Sequence, residues 1–398
     1  MKSSSSHVGT SNVNGPARPE PMPHLPYGRH SIDDDDIDAV VRALRSDWLT
    51  TGPAVDEFEQ AVAAYTGARH AVAVSNGTAA LHAAMFALNI GPGDEVIVPP
   101  MTFAATANCI VYQGGTPVFA DVSPDTLLLH PLRAAEKITS RTRAIIAVDY
   151  AGQPCGYDAL RSIARSHNLA LVADACHALG ATYQGRPVGT LADLSAFSFH
   201  PVKPITTCEG GLVATDNPEY ARRLRLFRNH GITTGHRQRA QAGTCFYEMT
   251  DLGYNYRLSD VQCALGTSQL RKLPAWVARR KHIARQYDRA FAASTAVRPL
   301  RSRKEVSHAY HLYVVSAASA AARDTLLTAL RQKGIVANVH YIPVHLHPYY
   351  RLQYGSRPGL CPVAEEAYQH ILSLPIFPQM TDADVSRVTS AVEELSPR

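Results

Sequence analysis

The feature that most constrains the fold is a regular alternation of strand-like and helix-like segments between Ser31 and Thr215. Several of the strand-like segments are short, β-branched and apolar at successive positions, which is typical of strands covered on both faces. Helical patterns lie between most of them, so neighbouring strands are joined by crossover connections. The pattern therefore predicts an α/β fold with a mainly parallel sheet. The strand-like segments are HAVAVS, EVIVPP, TPVFADV, RAIIAVDY, LALVADA, LSAFSFH and GGLVATD.

Helical patterns occur before the first strand and between the later ones. SIDDDDIDAVVRAL begins with capping and acidic residues, so it predicts a capped amphipathic helix. Its apolar residues are Ile37, Val40, Val41 and Leu44. A second helical pattern covers roughly residues 55–66, and the helices between strands are TAALHAAMFALNI, FAATANCIVYQ and YDALRSIARSHN.

The chain after Ser259 is organised differently. A long helical pattern runs from Ser259 to about Ala292, and Pro274 predicts a kink or a break in it. The segments HAYHLYVVSA and IVANVHYIPV, with a helix near DTLLTALRQKG, then indicate a smaller α+β domain. A chain of 398 residues is also too long for one compact core. We therefore predict a flexible tail over 1–24, a large cofactor-binding domain over 25–258, and a linking helix with a small C-terminal domain over 259–398.

Composition narrows the classes of function. The first two dozen residues are polar and lack the apolar centre of a secretory signal. The seven cysteines are scattered, odd in number and form no C-x-x-C pair, which indicates reduced thiols and a cytoplasmic protein. No apolar run reaches the ~20 residues that a membrane-spanning helix needs. The net charge of +5 comes without a basic block, which argues against nucleic acid as a partner.

Polar motifs follow several predicted strands, at the edge where an open α/β sheet places its ligand site. SNGTAAL, at 75–81, combines a strand end, a glycine turn and a helix start, where free N–H groups and the helix dipole favour a phosphate. The alternative is a helix cap without a ligand. Asp174 ends the strand LALVADA, and its carboxylate serves either as a helix N-cap or as the partner of a protonated pyridine nitrogen. Taken alone, each motif favours the cap.

The motif SFHPVKPITTCEGG, at 198–211, places Lys203 between two prolines just after a strand. Schiff-base chemistry needs a neutral amine, and burial lowers the pKa of a lysine. A single lysine is ordinarily a solvated surface charge, so this interpretation depends on Asp174, Ser198 and the phosphate-type turn upstream. In LGYNYRLSD, at 252–260, periodicity alone makes Asn255 and Arg257 structural turn residues.

Together these motifs resemble the DegT/DnrJ/StrS sugar aminotransferases, in the family's order and spacing, from about residue 26 to residue 395. The motifs are SNGTAAL, PPMTFAATAN, VADACHALGATYQGRPVGT, SFHPVKPITTCEGG, RNHGI, LGYNYRLSDVQCALG and SLPIFPQMTDADV. SDWLTTGP, HPVKPITT, HAYHLYVV and VHYIPVHLHPYY are most similar to the branch that acts in pseudaminic acid biosynthesis. The chain departs from the family at Cys208, where relatives usually have Gly, and at Cys176, in a motif that is usually DAA.

The resemblance implies a fold type I enzyme that depends on pyridoxal 5'-phosphate (PLP), with a seven-stranded sheet in the large domain and a homodimer with shared active sites. By that analogy Lys203 holds the cofactor as a Schiff base and Asp174 pairs with the ring nitrogen. Phe103 packs on the ring and His177 contacts the ring hydroxyl. The residues implied to hold the phosphate are Thr78, Ala79, Ser198 and, from the neighbouring subunit, Asn255.

The resemblance also implies the reaction, which is transfer of an amino group from L-glutamate to C4 of a UDP-linked 4-keto-6-deoxy-N-acetylhexosamine. The residues implied to bind the nucleotide-sugar are Tyr27, Leu49, Thr50, Thr51, His340, Tyr341 and Ile342. Without the resemblance, HYIPVHLHPYY would be interpreted as an aromatic surface loop or as a strand of the small domain. His345 and His347 lack a nearby Cys or a clear carboxylate partner, so we predict no metal site.

Two alternatives stay open. One is an aminotransferase of the same family that acts on another keto-sugar or on a cyclitol. The other is a non-catalytic regulatory module with this fold, against which the retention of Lys203, Asp174 and Ser198 together argues. Dehydration is disfavoured, because the family's dehydratases carry His in place of the lysine.

Overall fold

The computed structural model describes residues 24–394, so residues 1–23 of the predicted tail lie outside the described residues. The α-helices are α1 (Asp34–Leu44), α2 (Pro53–Thr66), α3 (Gly77–Ala87), α4 (Ala105–Tyr112), α5 (Pro131–Ala135), α6 (Tyr157–Ser166), α7 (Pro218–Phe227), α8 (His236–Gln241), α9 (Asp260–Ala290), α10 (Ala320–Gln332), α11 (Pro348–Tyr354), α12 (Pro362–His370) and α13 (Asp382–Glu393). The strands are β1 (His70–Val74), β2 (Glu95–Val98), β3 (Thr116–Phe119), β4 (Thr142–Val148), β5 (Ala170–Asp174), β6 (Thr182–Tyr183), β7 (Arg186–Pro187), β8 (Leu194–Ser198), β9 (Gly211–Thr215), β10 (Val297–Pro299), β11 (Val306–Ser307), β12 (Tyr313–Ala317) and β13 (Ile371–Leu374).

The central sheet of the described chain has seven strands in the order β1-β9-β8-β5-β4-β2-β3. All seven strand-like segments of the alternating pattern form it, and β9 alone runs antiparallel to its neighbours β1 and β8. The predicted α/β class with a mainly parallel sheet is therefore confirmed. The strands are almost wholly buried because helices cover both faces.

The register of the sheet brings the ends of several strands to one edge. Val148 lies opposite Asp174, and Ser198 lies opposite Gly211, which in turn lies opposite Val74. The segments that follow β1, β4, β5 and β8 therefore leave the sheet on the same side. This edge is where an open α/β sheet places a ligand.

Two smaller antiparallel sheets accompany the central one in residues 24–394, in the orders β10-β12-β13 and β11-β6-β7. IVANVHYIPV forms no strand, contrary to the sequence pattern. Its backbone makes isolated bridges to two different partners, Ile335 with Leu25 and Asn338 with Ser373, so no continuous ladder develops.

Helix α9 continues through Pro274 as a single element, so the predicted break is absent. Its first half packs in one hydrophobic core through Leu270, Leu273 and Val277, and its second half packs in another through Ile283 and Tyr287. Packing along its whole length offsets the hydrogen bond that proline removes. The division of the chain at 258 and 259 stays a prediction. C-terminal segments also contribute to the first core, through Ala309, Leu312, Val314, Val344, Tyr350, Cys361, Ala364 and Ile371.

None of the described helices has both the length and the apolar character needed to cross a bilayer. Within residues 24–394, no three His, Cys, Asp or Glu side chains are grouped as they would be to bind a metal ion.

Candidate active site

The N-terminus of α3 lies at the ligand edge of the sheet and forms a cradle for an anion. The Asn76 side chain caps the helix by accepting a hydrogen bond of 2.8 Å from the Ala79 N–H. The N–H groups of Gly77 and Thr78 meet no protein acceptor within residues 24–394. These two donors, with the positive end of the helix dipole, can bind a phosphate. The Ala79 N–H already donates to the Asn76 side chain, and the predicted contact of Ala79 with the phosphate stays a prediction.

The cradle is closed on one side by the strand ends of β8 and β9. A Cβ added to Gly77 would lie 2.8 Å from Ser198 Cβ and 3.1 Å from Ser198 Oγ. A Cβ added to Gly211 would lie 2.2 Å from the Asn76 carbonyl oxygen. Both positions require glycine, because the Ser198 side chain at Gly77 and the Asn76 backbone at Gly211 leave no room for a Cβ. The Ser198 hydroxyl therefore lies directly beside the first turn of α3.

Asp174 is held by hydrogen bonds rather than by an ion pair within the described chain. Its side chain is buried, and its Oδ2 accepts a hydrogen bond of 2.6 Å from the Thr106 hydroxyl. The Thr106 oxygen lies 2.7 Å from that of Thr102, and Oδ1 accepts a bond of 3.2 Å from the Cys176 N–H. A carboxylate only accepts, so Thr106 donates to Asp174 and Thr102 donates to Thr106. The two hydroxyls fix the orientation of the carboxylate.

A second carboxyl group, that of Asp149, lies behind Asp174. The Asp149 N–H donates to the Asp174 carbonyl oxygen at 3.0 Å, and the Tyr157 hydroxyl donates to Asp149 Oδ1 at 2.9 Å. Burial raises the pKa of Asp149 to about 7, and the charge of Asp174 adds to this rise. The carboxyl groups of Asp149 and Asp174 therefore both lie in a buried environment, where hydrogen bonds stabilise them.

Lys203 follows β8 in a turn in which its N–H donates to the His200 carbonyl oxygen at 2.9 Å. Its side chain is half-buried. Burial lowers the pKa of the Lys203 amine, while Cys176 and Asp174 act on it in the opposite direction. A lowered pKa increases the fraction of neutral, nucleophilic amine.

His177 lies next to Tyr341 and His311. Its Nε2 is 3.1 Å from the Tyr341 hydroxyl, and its ring centroid is 4.3 Å from that of His311. Its Nδ1 is buried and has no partner in the described chain. Burial lowers the pKa of His177 well below its usual value, and the charges of Lys203 and His340 add to this effect. The imidazole is therefore neutral, with one ring nitrogen available to a ligand.

The remaining predicted site residues lie in separate groups. Phe103 is 61% exposed just before α4, with its ring 6.1 Å from that of Tyr341, and Tyr27 packs 5.3 Å from His340. Of the other predicted substrate residues, Ile342 is exposed, and in the segment 49–51 Leu49 and Thr50 are exposed while Thr51 is half-buried. That segment lies at the start of α9, where Thr50 bridges Ser259. Asn255 is exposed and bridges Asn229.

Sequence reasoning missed Thr102, Thr106, Asp149 and His311. The two threonines carry only a weak signal, because Thr106 lies in the first turn of α4 whereas Thr102 precedes that helix. His311 carries none. It reaches His177 because the Ala309 N–H donates to the Gly152 carbonyl oxygen and the Leu312 N–H donates to that of Ala151.

The site thus combines an anion cradle, an amine with a lowered pKa, a fixed carboxylate and an unpartnered imidazole nitrogen. Comparison with known proteins bears on this arrangement. A model of the DegT/DnrJ/EryC1/StrS aminotransferase family matches residues 30–393. The spore coat polysaccharide biosynthesis protein SpsC of Bacillus subtilis is 41% identical over 376 residues, which cover 93% of this chain and 97% of SpsC.

Solved structures are similar over the same extent. PseC of Helicobacter pylori, an aminotransferase involved in the biosynthesis of pseudoaminic acid, is 32% identical with a TM-score of 0.88, covering 94% of this chain and 99% of PseC. A candidate sugar aminotransferase of Streptococcus pneumoniae, solved in its PLP form, is also 32% identical with a TM-score of 0.88, and covers 94% and 98% of the two chains.

Proposed function

This chain belongs to the DegT/DnrJ/EryC1/StrS aminotransferase family and is a PLP-dependent sugar aminotransferase, and on that basis we propose that it aminates C4 of a UDP-linked 4-keto-6-deoxy-N-acetylhexosamine with L-glutamate as the donor. The similarity to PseC and the branch motifs around Lys203 support this substrate class. The observation that carries the assignment of the site is the gathering of Lys203, Asp174, His177 and Ser198 at one edge of the sheet.

The residues of this edge fit PLP. When bound, PLP supplies an electrophilic aldehyde carbon and a protonated ring that withdraws electrons. We assign the phosphate to the Gly77 and Thr78 N–H groups and to the hydroxyls of Thr78 and Ser198. The buried Nδ1 of His177 lacks an acceptor, which a ring hydroxyl oxygen would provide.

Asp174 is suited to hold the proton on the ring nitrogen. Its carboxylate is buried and oriented by Thr106, and it has no competing cation in an ion pair among residues 24–394. A fixed charge in a dry site stabilises developing charge more strongly than a mobile one in water. We assign Phe103 to the exposed face of the ring.

Lys203 is suited to two tasks. Its partly neutral amine binds the cofactor covalently and, once displaced by the amino donor, moves a proton between the donor's α-carbon and the cofactor. The same base serves both halves of the reaction, because the second half repeats the steps of the first in reverse order.

We also propose a homodimer in which Asn255 reaches the partner's phosphate site. The segment before it exposes large apolar side chains, including Phe246, Met249 and Leu252 at 64–73%. Exposed apolar clusters of this kind mark interaction surfaces. The segment lies beside the cradle, since the Ser75 N–H donates to the Tyr256 carbonyl oxygen at 2.8 Å. The residues that we assign to the nucleotide-sugar are Tyr27, Leu49, Thr50, Thr51, His340, Tyr341 and Ile342.

The substrate proposal is tested with a panel of nucleotide-linked keto-sugars and cyclitol ketones, with glutamate as donor and 2-oxoglutarate as the measured product. We expect the UDP-linked 4-keto sugar to give the highest kcat/KM. A higher value for another ketone would replace this substrate with the alternative. Absence of turnover on every ketone, together with no borohydride-sensitive colour, would favour a non-catalytic module.

Lys203→Ala tests the assignment of the base. We expect it to abolish turnover and to remove the visible absorbance of covalently bound cofactor. Lys281→Ala is the matched control, since burial also lowers the pKa of Lys281, which bonds to Ser307 instead. Normal steady-state activity of Lys203→Ala would refute the assignment.

A further inference from the structure

The Tyr341 hydroxyl lies next to His177, the histidine that we assign to the ring hydroxyl of PLP. It lies 3.1 Å from His177 Nε2, and the two rings are nearly parallel, with an interplanar angle of 28°. No other hydrogen-bond partner of this hydroxyl is found in residues 24–394. The contact of Tyr341 with the nucleotide-sugar that the family resemblance implies stays a prediction.

The direction of this hydrogen bond follows from the ionisation states. Burial lowers the pKa of His177 and raises that of Tyr341 far above its usual value, so both groups are neutral at pH 7. A neutral imidazole has one donor nitrogen and one acceptor nitrogen. The Tyr341 hydroxyl is partly buried and has no other acceptor among the described residues, so it donates to the imidazole, because leaving its proton unpaired costs free energy. Tyr341 therefore donates to Nε2, and the imidazole proton lies on Nδ1.

The backbone at Tyr341 and the preceding His340 are held in place by several contacts. The Tyr341 N–H points to the sulfur of Met101 at 3.5 Å, and the Tyr150 hydroxyl donates to the carbonyl oxygen of the preceding residue, His340. His340 Nδ1 lies 2.9 Å from the Ser373 hydroxyl. The His311 ring lies near that of His177 at an interplanar angle of 44° but makes no hydrogen bond to it among the described residues. Tyr341 is thus the group that decides which His177 nitrogen carries the proton.

We propose that Tyr341 is a positioning residue that keeps the proton of His177 on Nδ1, so that Nδ1 donates to the ring hydroxyl oxygen of the cofactor. This inference rests on the proposed function in one respect, which is that His177 faces that oxygen. Without the Tyr341 hydroxyl, His177 divides its population between two tautomers, and only one of them can donate from Nδ1. Tyr341 therefore acts on the cofactor through His177.

The test uses two ligands that bind without forming a bond to Lys203, namely pyridoxamine phosphate and its analogue without the 3-hydroxyl. Dissociation constants are measured by fluorescence for the wild type, Tyr341→Phe and His177→Ala. Tyr313→Phe is the control, because its buried hydroxyl donates to Asp288 instead. We expect the preference for the hydroxylated ligand to fall about three- to tenfold in Tyr341→Phe, as for one neutral hydrogen bond. We expect the control to leave this preference unchanged.

The outcomes separate the two proposals. Equal weakening of both ligands in Tyr341→Phe, or no weakening, would overturn the role of Tyr341. If His177→Ala also keeps the full preference, the assignment of His177 to the ring hydroxyl fails, and the tyrosine proposal fails with it. Histidine tautomers measured by NMR in the cofactor-free wild type give a check that needs no variant. An Nδ1-protonated His177 supports the proposal, and an Nε2-protonated one overturns it.

Discussion

Gly77→Ala would place one methyl group where α3, β8 and the proposed phosphate meet. The new Cβ would lie 2.8 Å from Ser198 Cβ, 3.1 Å from Ser198 Oγ and 3.3 Å from Cys176 Sγ. Ser198 cannot retreat easily, because it is paired with Gly211, which itself has no room against the Asn76 carbonyl. The first turn of α3 and the Ser198 hydroxyl are therefore forced apart.

Overpacking of this size costs about 1–3 kcal/mol in a well-packed interior. If this cost falls on the phosphate cradle, phosphate binding weakens by about 5- to 150-fold, since about 1.4 kcal/mol corresponds to a factor of ten. The assay compares the dissociation constants of pyridoxamine phosphate and pyridoxamine. We expect Gly77→Ala to weaken only the phosphorylated ligand.

Gly91→Ala is the matched control, because a Cβ at that position would meet no atom within 4 Å. It should change neither dissociation constant. Equal loss of both ligands in Gly77→Ala, or unchanged binding of the phosphorylated one, would refute the placement of the phosphate at α3.

Three further predictions concern the described chain. Thr106→Val removes the donor to buried Asp174 and should lower the unfolding free energy of the cofactor-free protein by about 1.5–3 kcal/mol in urea titrations, whereas Thr106→Ser should not. Burial lowers the pKa of His82 from the ordinary value of 6.5 to about 4. As the pH drops from 6.5 towards 4, His82 is therefore protonated in the unfolded chain before it is protonated in the folded one, and the free energy of unfolding falls. His82→Gln should reduce the accompanying fall in melting temperature. Cys208 has a φ of 66°, in the left-handed region that favours glycine. Cys208→Gly should therefore raise the melting temperature, with a gain of about 1 kcal/mol in the free energy of unfolding. An unchanged melting temperature would contradict backbone strain at this position.

The sequence predicted well what depends on local pattern. The seven strands of the central sheet follow from runs of apolar residues, and Asp174 and Lys203 were recognised because each comes directly after or at the end of such a run. α1 shows where pattern misleads. Ile37 and Leu44 are exposed, whereas Asp36 is buried because Lys272 and Gln269 on α9 satisfy its carboxylate.

Contacts between distant residues could not be predicted in the same way. Thr106 and Asp174 are 68 residues apart, and Tyr341 and His177 are 164 apart. Such pairs depend on the order of the strands and on how the C-terminal segment returns to the sheet, neither of which hydrophobic periodicity encodes. The contact of the Tyr341 hydroxyl with His177 could not be predicted for this reason, because only the folded chain brings the two side chains together.

The passage of α9 through both hydrophobic cores limits how this chain can be divided. A cut between residues 258 and 259 would leave the helix on the C-terminal fragment, with Leu270, Leu273 and Val277 stripped of the apolar partners they pack on. The N-terminal fragment would likewise lose the helix that covers α1 and α2. Each fragment would expose an apolar surface and would aggregate before it bound the other fragment. Attempts to express the two parts separately should therefore yield soluble protein only when both are made together.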